Sequence, residues 1–105
     1  MTLTAISPDE MLERATEAAA LLKALSHEGR LMILCHLSGG ERTVGELEQL
    51  LGQRQAAVSQ QLARLRAEGL VSSRRDGKAR LYSVSDPCAA AVIATVYRLF
   101  CAEAE

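Results

Sequence analysis

The sequence predicts a mainly α-helical fold, five helices with one small β-hairpin, in a chain of 105 residues. Three observations carry this. Helix-start chemistry recurs at Ser7-Pro8, Ser26, Thr43 and Asp86-Pro87, each followed by apolar residues at three- and four-residue steps. Two β-prone runs flank Asp76-Gly77, a strong hairpin dipeptide. Charge is segregated: residues 54–80 hold seven basic and two acidic side chains, a net +5, while the whole chain is −1. Phosphate affinity follows the local patch rather than the total.

Composition bounds the rest. The length suits one domain spanning 1–105. A hydrophobic content of 49% and a charged content of 24% describe a folded chain. Aromatic residues reach only 3%, too few for stacking on single-stranded bases. No apolar run approaches about 18 residues and no signal-peptide pattern opens the chain, so no membrane partner is expected and a cytoplasmic location is.

In chain order, residues 1–6 read as a frayed start. Ser7-Pro8-Asp9-Glu10 then combines an N-cap, a proline at the first helical position and a capping-box glutamate. Met11, Ala15, Ala18, Leu22 and Leu25 continue that helix, broadened by Leu12 and Ala19 into more apolar surface than a small core needs. Met11, Ala15 and Leu22 are therefore expected in a homodimer interface. Ser26 is read as the cap of a second helix, HEGRLMILCHL, whose apolar character places it in the interior. His27 and His36 have no ligand-spaced partners and read as surface or capping residues, not metal ligands.

Thr43 and Glu46 form the capping box of a third helix, with Val44, Leu47, Leu50 and Leu51 on one face and Gly52 ending it. A fourth covers roughly Arg54 to Glu68, with Gly69 as its left-handed stop. Val58, Leu62, Leu65 and Ala57 form its buried stripe; Gln55, Ser59, Gln60 and Arg64 remain outside. Such amides, hydroxyls and guanidinium groups suit base edges and phosphates. On these residues alone, an ordinary helical hairpin with a solvated polar face would read the same way. The hairpin that follows decides between them, because Arg74, Arg75, Lys78 and Arg80 cluster at its tip. Helix, turn, reading helix and basic hairpin make a winged helix-turn-helix. Arg54, Gln55, Ser59, Gln60, Arg64, Arg74, Arg75, Lys78 and Arg80 are its candidate contacts to double-stranded DNA.

The last helix starts at Asp86-Pro87 and is predicted to run to about Ala102. It is apolar nearly all round, so one side should meet its own domain and the other a partner subunit. Val92, Ile93, Val96 and Leu99 join the expected interface. The dimer would set two reading helices about one DNA turn apart.

With every element placed, the chain resembles the ArsR/SmtB family of bacterial winged-helix repressors over nearly its whole length. The carrying residues are ALSHEGRLMIL at 24–34, VSQQLARLRAEGLV at 58–71 and RRDGKARLYSV at 74–84. The resemblance implies a dimeric operator-binding repressor released by an inducer. Where one metal-sensing type carries Cys-Val-Cys, this chain has Thr43-Val44-Gly45. The last-helix site of Asp and His ligands is also missing, because no His follows His36 and Asp86 is the helix's only carboxylate. No metal or other cofactor is expected.

Cys35 and Cys101, 66 residues apart, lie in the second and last helices. This arrangement resembles the sulfide- and persulfide-responsive, BigR/SqrR-like branch of the family. There, such a thiol pair is bridged by reactive sulfur species and DNA affinity falls. Plain packing of a small apolar side chain stands as the other reading of Cys35, and Cys88 reads as structural or incidental. A repressor answering another oxidant, haem or a thiol-bound soft metal is the alternative function. A thiol enzyme would need an activating acid, base or C-x-x-C partner, which the sequence lacks. A protein-interaction module would leave the basic patch without a purpose.

Overall fold

A computed structural model describes residues 6–101. The elements run α1 (Pro8–Leu25), α2 (Glu28–Ser38), α3 (Val44–Leu51), α4 (Gln55–Ala67), β1 (Val71–Asp76), β2 (Ala79–Val84) and α5 (Pro87–Phe100). The frayed start expected at residues 1–6 falls mostly outside the described residues, as does Ala102, the predicted last residue of α5.

Local chemistry explains the helix ends. Ser7 and Glu10 close a capping box on α1, with Pro8 in its first turn, and Thr43 and Glu46 close another on α3. Gly52 ends α3 in the left-handed region at φ 67°, a conformation that favours glycine. Asp86 accepts from the Cys88 and Ala89 amides at the start of α5. One cap differs from expectation. His27, not Ser26, caps α2: its Nδ1 accepts from the Gly29 and Arg30 amides at 3.1 and 3.4 Å. Ser26 instead donates its hydroxyl to the Lys23 carbonyl at the end of α1.

The core is built where α2, α3, α4 and α5 converge. Ile33, Leu34, Leu47, Val58, Leu65 and Ile93 are each fully buried. Burying such side chains contributes roughly 1.5–3 kcal/mol each, so α4 is fixed by Val58, Leu62 and Leu65 rather than by its polar face. Ala57, expected in that stripe, is exposed, and so is Leu50 of α3. Arg30 ties three helices together, donating to the Ala24 carbonyl at 3.0 Å and to Glu68 at 3.1 Å.

Ile93 is a correction of a different kind. Expected at a subunit interface, it lies instead in the core of its own chain, 0% exposed beside Ala89. α5 turns this face inward because α2 packs along it. The outer face carries Leu99 at 68% and Phe100 at 81% exposure. α1 is exposed along nearly all its length; among its residues only Leu25 is buried.

β1 and β2 pair antiparallel from Val71 opposite Val84 to Asp76 opposite Ala79, so the two-residue turn is Gly77 and Lys78, one residue on from the expected Asp76-Gly77. Gly77 takes φ 66°, as a tight hairpin turn requires.

Candidate nucleic-acid interface and thiol site

α4 presents the expected polar face. Arg54, Gln55 and Gln60 are exposed, and Ser59 is half-buried where α4 meets the hairpin beside Arg66 and Tyr82. Arg64 is exposed too, but it lies farther along the helix, lining with Lys23 and Glu68 an open cavity of about 710 Å³. The amino end of α4 is unusual among the described helices. Arg54 occupies the cap position and makes no side-chain cap bond, and the Val58 amide is bonded to the Arg54 carbonyl. Uncapped amides and the helix dipole together suit an anion such as phosphate.

The hairpin's cations differ in their surroundings. Arg75 and Lys78 have no ionic partner among the described residues. Arg80 donates to the Ser73 hydroxyl at 2.9 Å. Arg74, expected to face DNA with them, is instead held by Glu41 through two bonds of 2.6 and 2.8 Å. That pairing holds the Glu41 carboxyl below the ordinary carboxylate range and raises the Arg74 guanidinium. Glu41 gave no signal in the sequence, since its partner lies 33 residues away.

The two thiols come together. Cys35 on α2 and Cys101 just past α5 line one cavity of about 460 Å³ with Leu31, Met32, Val96, Tyr97 and Phe100. Cys35 is half-buried and Cys101 exposed, and both are free thiols. Burial pushes the Cys35 thiol up, and the neighbouring Cys101 adds to the shift. A backbone bond from the Cys101 amide to the Tyr97 carbonyl, 2.8 Å, fixes where the second thiol stands. Val96, expected at a subunit interface, lines this cavity and is half-buried, as is Val92. Cys88 is exposed at the far end of α5. The apolar walls from Tyr97 and Phe100 were legible only as part of an all-apolar helix. Among the described residues, no three His, Cys, Asp or Glu side chains gather where a metal could bind.

The family described as "Bacterial regulatory protein, arsR family" matches residues 27–73, which run from the α2 cap through α3 and α4 into β1. Over a longer stretch of 95 residues, the chain is 48% identical to the biofilm growth-associated repressor of Agrobacterium fabrum, covering 90% of this chain and 81% of that one. The chain belongs to the arsR family. Its arsR fold superposes on the crystal structure of the transcriptional repressor BigR from Xylella fastidiosa with a TM-score of 0.86. The two are 44% identical, with 94% and 98% of the chains covered. It also superposes on reduced HlyU from Vibrio cholerae, with a TM-score of 0.82 and 42% identity over 89% and 98% of the chains. ArsR-family proteins are DNA-binding transcriptional regulators and not enzymes. The α3–α4 pair is thus the family's helix-turn-helix, and the β1–β2 hairpin its wing. No helix among the described residues is long and apolar enough to cross a membrane.

Proposed function

We propose that this arsR-family chain is a dimeric repressor that binds operator DNA through α4 and the wing and loses affinity when Cys35 and Cys101 are bridged by reactive sulfur. The observation that carries the reading is the shared cavity: thiols 66 residues apart in sequence line one apolar site between α2 and α5. That a relative, HlyU, has a structure described as reduced agrees with a redox role for this architecture.

The chemistry balances with a persulfide as the oxidant. The exposed Cys101 thiolate takes the outer sulfur of RSSH and releases RSH; Cys35 then attacks the resulting persulfide. One RSSH and two thiols give a disulfide, RSH and hydrogen sulfide. Two RSSH give a three-sulfur bridge, two RSH and one hydrogen sulfide. A direct disulfide needs Cα atoms within about 4.4–6.8 Å. An added sulfur lengthens the reach by roughly one S–S bond, near 2 Å, so a wider pair favours persulfide over peroxide.

Dimerisation is assigned to α1 and α5. Met11, Leu12, Leu22, Leu99 and Phe100 are all exposed on these helices, an apolar surface of the kind a second copy covers. Bridging would tie α5, and so the placement of the second subunit, to the core helix behind α4. A tenfold loss of operator affinity requires only about 1.4 kcal/mol of differential binding. The protein would act in the cytoplasm, where thiols rest reduced until an oxidant arrives.

The test pairs mass spectrometry of persulfide-treated protein with titration of a DNA fragment from upstream of its own gene. Cys35→Ser and Cys101→Ser should bind DNA and not respond, while Cys88→Ser responds normally. A linked Cys35–Cys101 peptide should appear only when both thiols are present. A full response in either single mutant would sink the proposal.

A further inference from the structure

Arg74 is gripped in a manner none of the other wing cations shares. Its Nε donates to one Glu41 oxygen at 2.6 Å and its Nη2 to the other at 2.8 Å. This is the two-pronged geometry with which a guanidinium satisfies a carboxylate, and equally a phosphate.

The backbone prepares the grip. Arg42 exchanges both backbone bonds with Tyr82, at 3.1 and 2.8 Å, making a one-residue bridge to β2. Its own side chain is moored by a bond from Nε to the His36 carbonyl at 3.0 Å. Tyr82 also pairs with Ser73 of β1, so the Arg42 segment and β1 lie on opposite edges of β2. The Glu41–Arg74 pair therefore crosses the full width of β2, a span of roughly 10 Å at ordinary strand spacing. It links the loop before α3 to the outer strand of the wing.

We propose that Glu41 masks Arg74 from DNA phosphate and so limits how many phosphates the wing neutralises. The proposal rests on the reading of the wing as a DNA contact. The carboxylate occupies the Nε–Nη2 edge and neutralises the charge, so the guanidinium meets a phosphate with only its outer N–H groups and no net charge. The two side chains remain 37% and 58% exposed, so the mask stands at the surface where DNA would arrive. Arg75 and Lys78, the neighbouring cations without such a partner, remain the wing's phosphate contacts. The device suits an inducible binder: every phosphate contact adds affinity that carries no sequence information and that induction must overcome.

The test is fluorescence anisotropy with a mixed-sequence DNA duplex, read from about 50 to 200 mM salt, the range over which phosphate contacts dominate affinity. Glu41→Gln keeps the shape and removes the charge. It should steepen the log–log salt slope by about 0.9, one phosphate's worth, and tighten binding about threefold or more at the low-salt end. Arg74→Ala alone bares the Glu41 carboxylate and should weaken binding without steepening the slope, and Glu41→Gln/Arg74→Ala should bind no tighter than the unaltered protein. If the gain survives in the double variant, only general repulsion was removed and the mask is wrong. An unchanged or shallower slope in Glu41→Gln also overturns it. Arg75→Ala separates the two layers. If it flattens the slope while Glu41→Gln does nothing, the wing reading stands and the mask falls. If Arg75→Ala has no effect, the wing reading itself fails, and the mask with it.

Discussion

Gln55 and Gln60 stand exposed on α4 and the cations on the wing, and the two groups should fail differently when removed. Gln55→Ala or Gln60→Ala should cost operator affinity by about 1–3 kcal/mol for each lost two-point base contact while leaving binding to unrelated DNA intact. Arg75→Ala should weaken binding to all sequences alike and flatten the salt slope. Competition titrations against operator and mixed-sequence duplexes read the difference; one uniform loss from both kinds of variant would contradict the division. The thiols make a second prediction at this scale. Burial, with Cys101 as the smaller cause, raises the Cys35 pKa. A raised thiol pKa means that the fold favours the protonated form. This contribution to stability is complete below the ordinary thiol value and is lost as pH rises through the raised one. Alkylation should therefore reach the exposed Cys101 first at neutral pH. Cys35 should follow only on the alkaline side of the ordinary thiol range, as peptide mass spectrometry across a pH series would show. Cys35 labelled first at neutral pH would contradict the burial argument.

α5 shows at the scale of one element what a sequence can and cannot convey. Its start was legible because Asp86 and Pro87 are neighbours, and its apolar composition announced contact on two sides. Which residue faced which side was not legible, because nearly every position is apolar. Ile93 went to the core and Leu99 to the surface through packing against α2. The capping boxes of α1 and α3 and the Gly77 turn were readable for the same local reason. The His27 cap lay one residue from the expected Ser26, because an imidazole Nδ1 can accept from helix-start amides as a serine hydroxyl does. The Glu41–Arg74 pair and the joint lining of the thiol cavity arise only when distant segments meet. The two faces of α5 should answer differently to mutation. Ile93→Ala should destabilise the fold itself by about 2–5 kcal/mol, since it empties a fully buried site. Denaturant unfolding would register that loss, and a shift below this range would move Ile93 out of the core.

For the molecule as a whole, charge and apolar surface are sorted onto different regions. The basic excess lies in residues 54–80, which include α4 and the wing, while the exposed Leu12, Leu22, Leu99 and Phe100 belong to α1 and α5. A binder with one face for phosphates and another for a second copy can place two reading helices along one duplex, about 34 Å apart for adjacent half-sites. Leu99→Asp combined with Leu22→Asp should leave the fold intact and abolish the dimer, because both positions are exposed in the isolated chain. Sedimentation should then report a folded monomer with weak, non-specific DNA binding. A dimer that survives both charges would place the interface elsewhere.

The bare amino end of α4 has a further consequence. Every other helix among the described residues begins with a side chain accepting from its first amides, whereas Arg54 offers none. The amides of Gln55, Ala56 and Ala57 depend on solvent, or on whatever anion docks there. In hydrogen–deuterium exchange they should trade quickly in the free protein and slow sharply on operator DNA, while the capped start of α3 scarcely changes. The reading helix thus carries a gauge of its own occupancy, visible without any label.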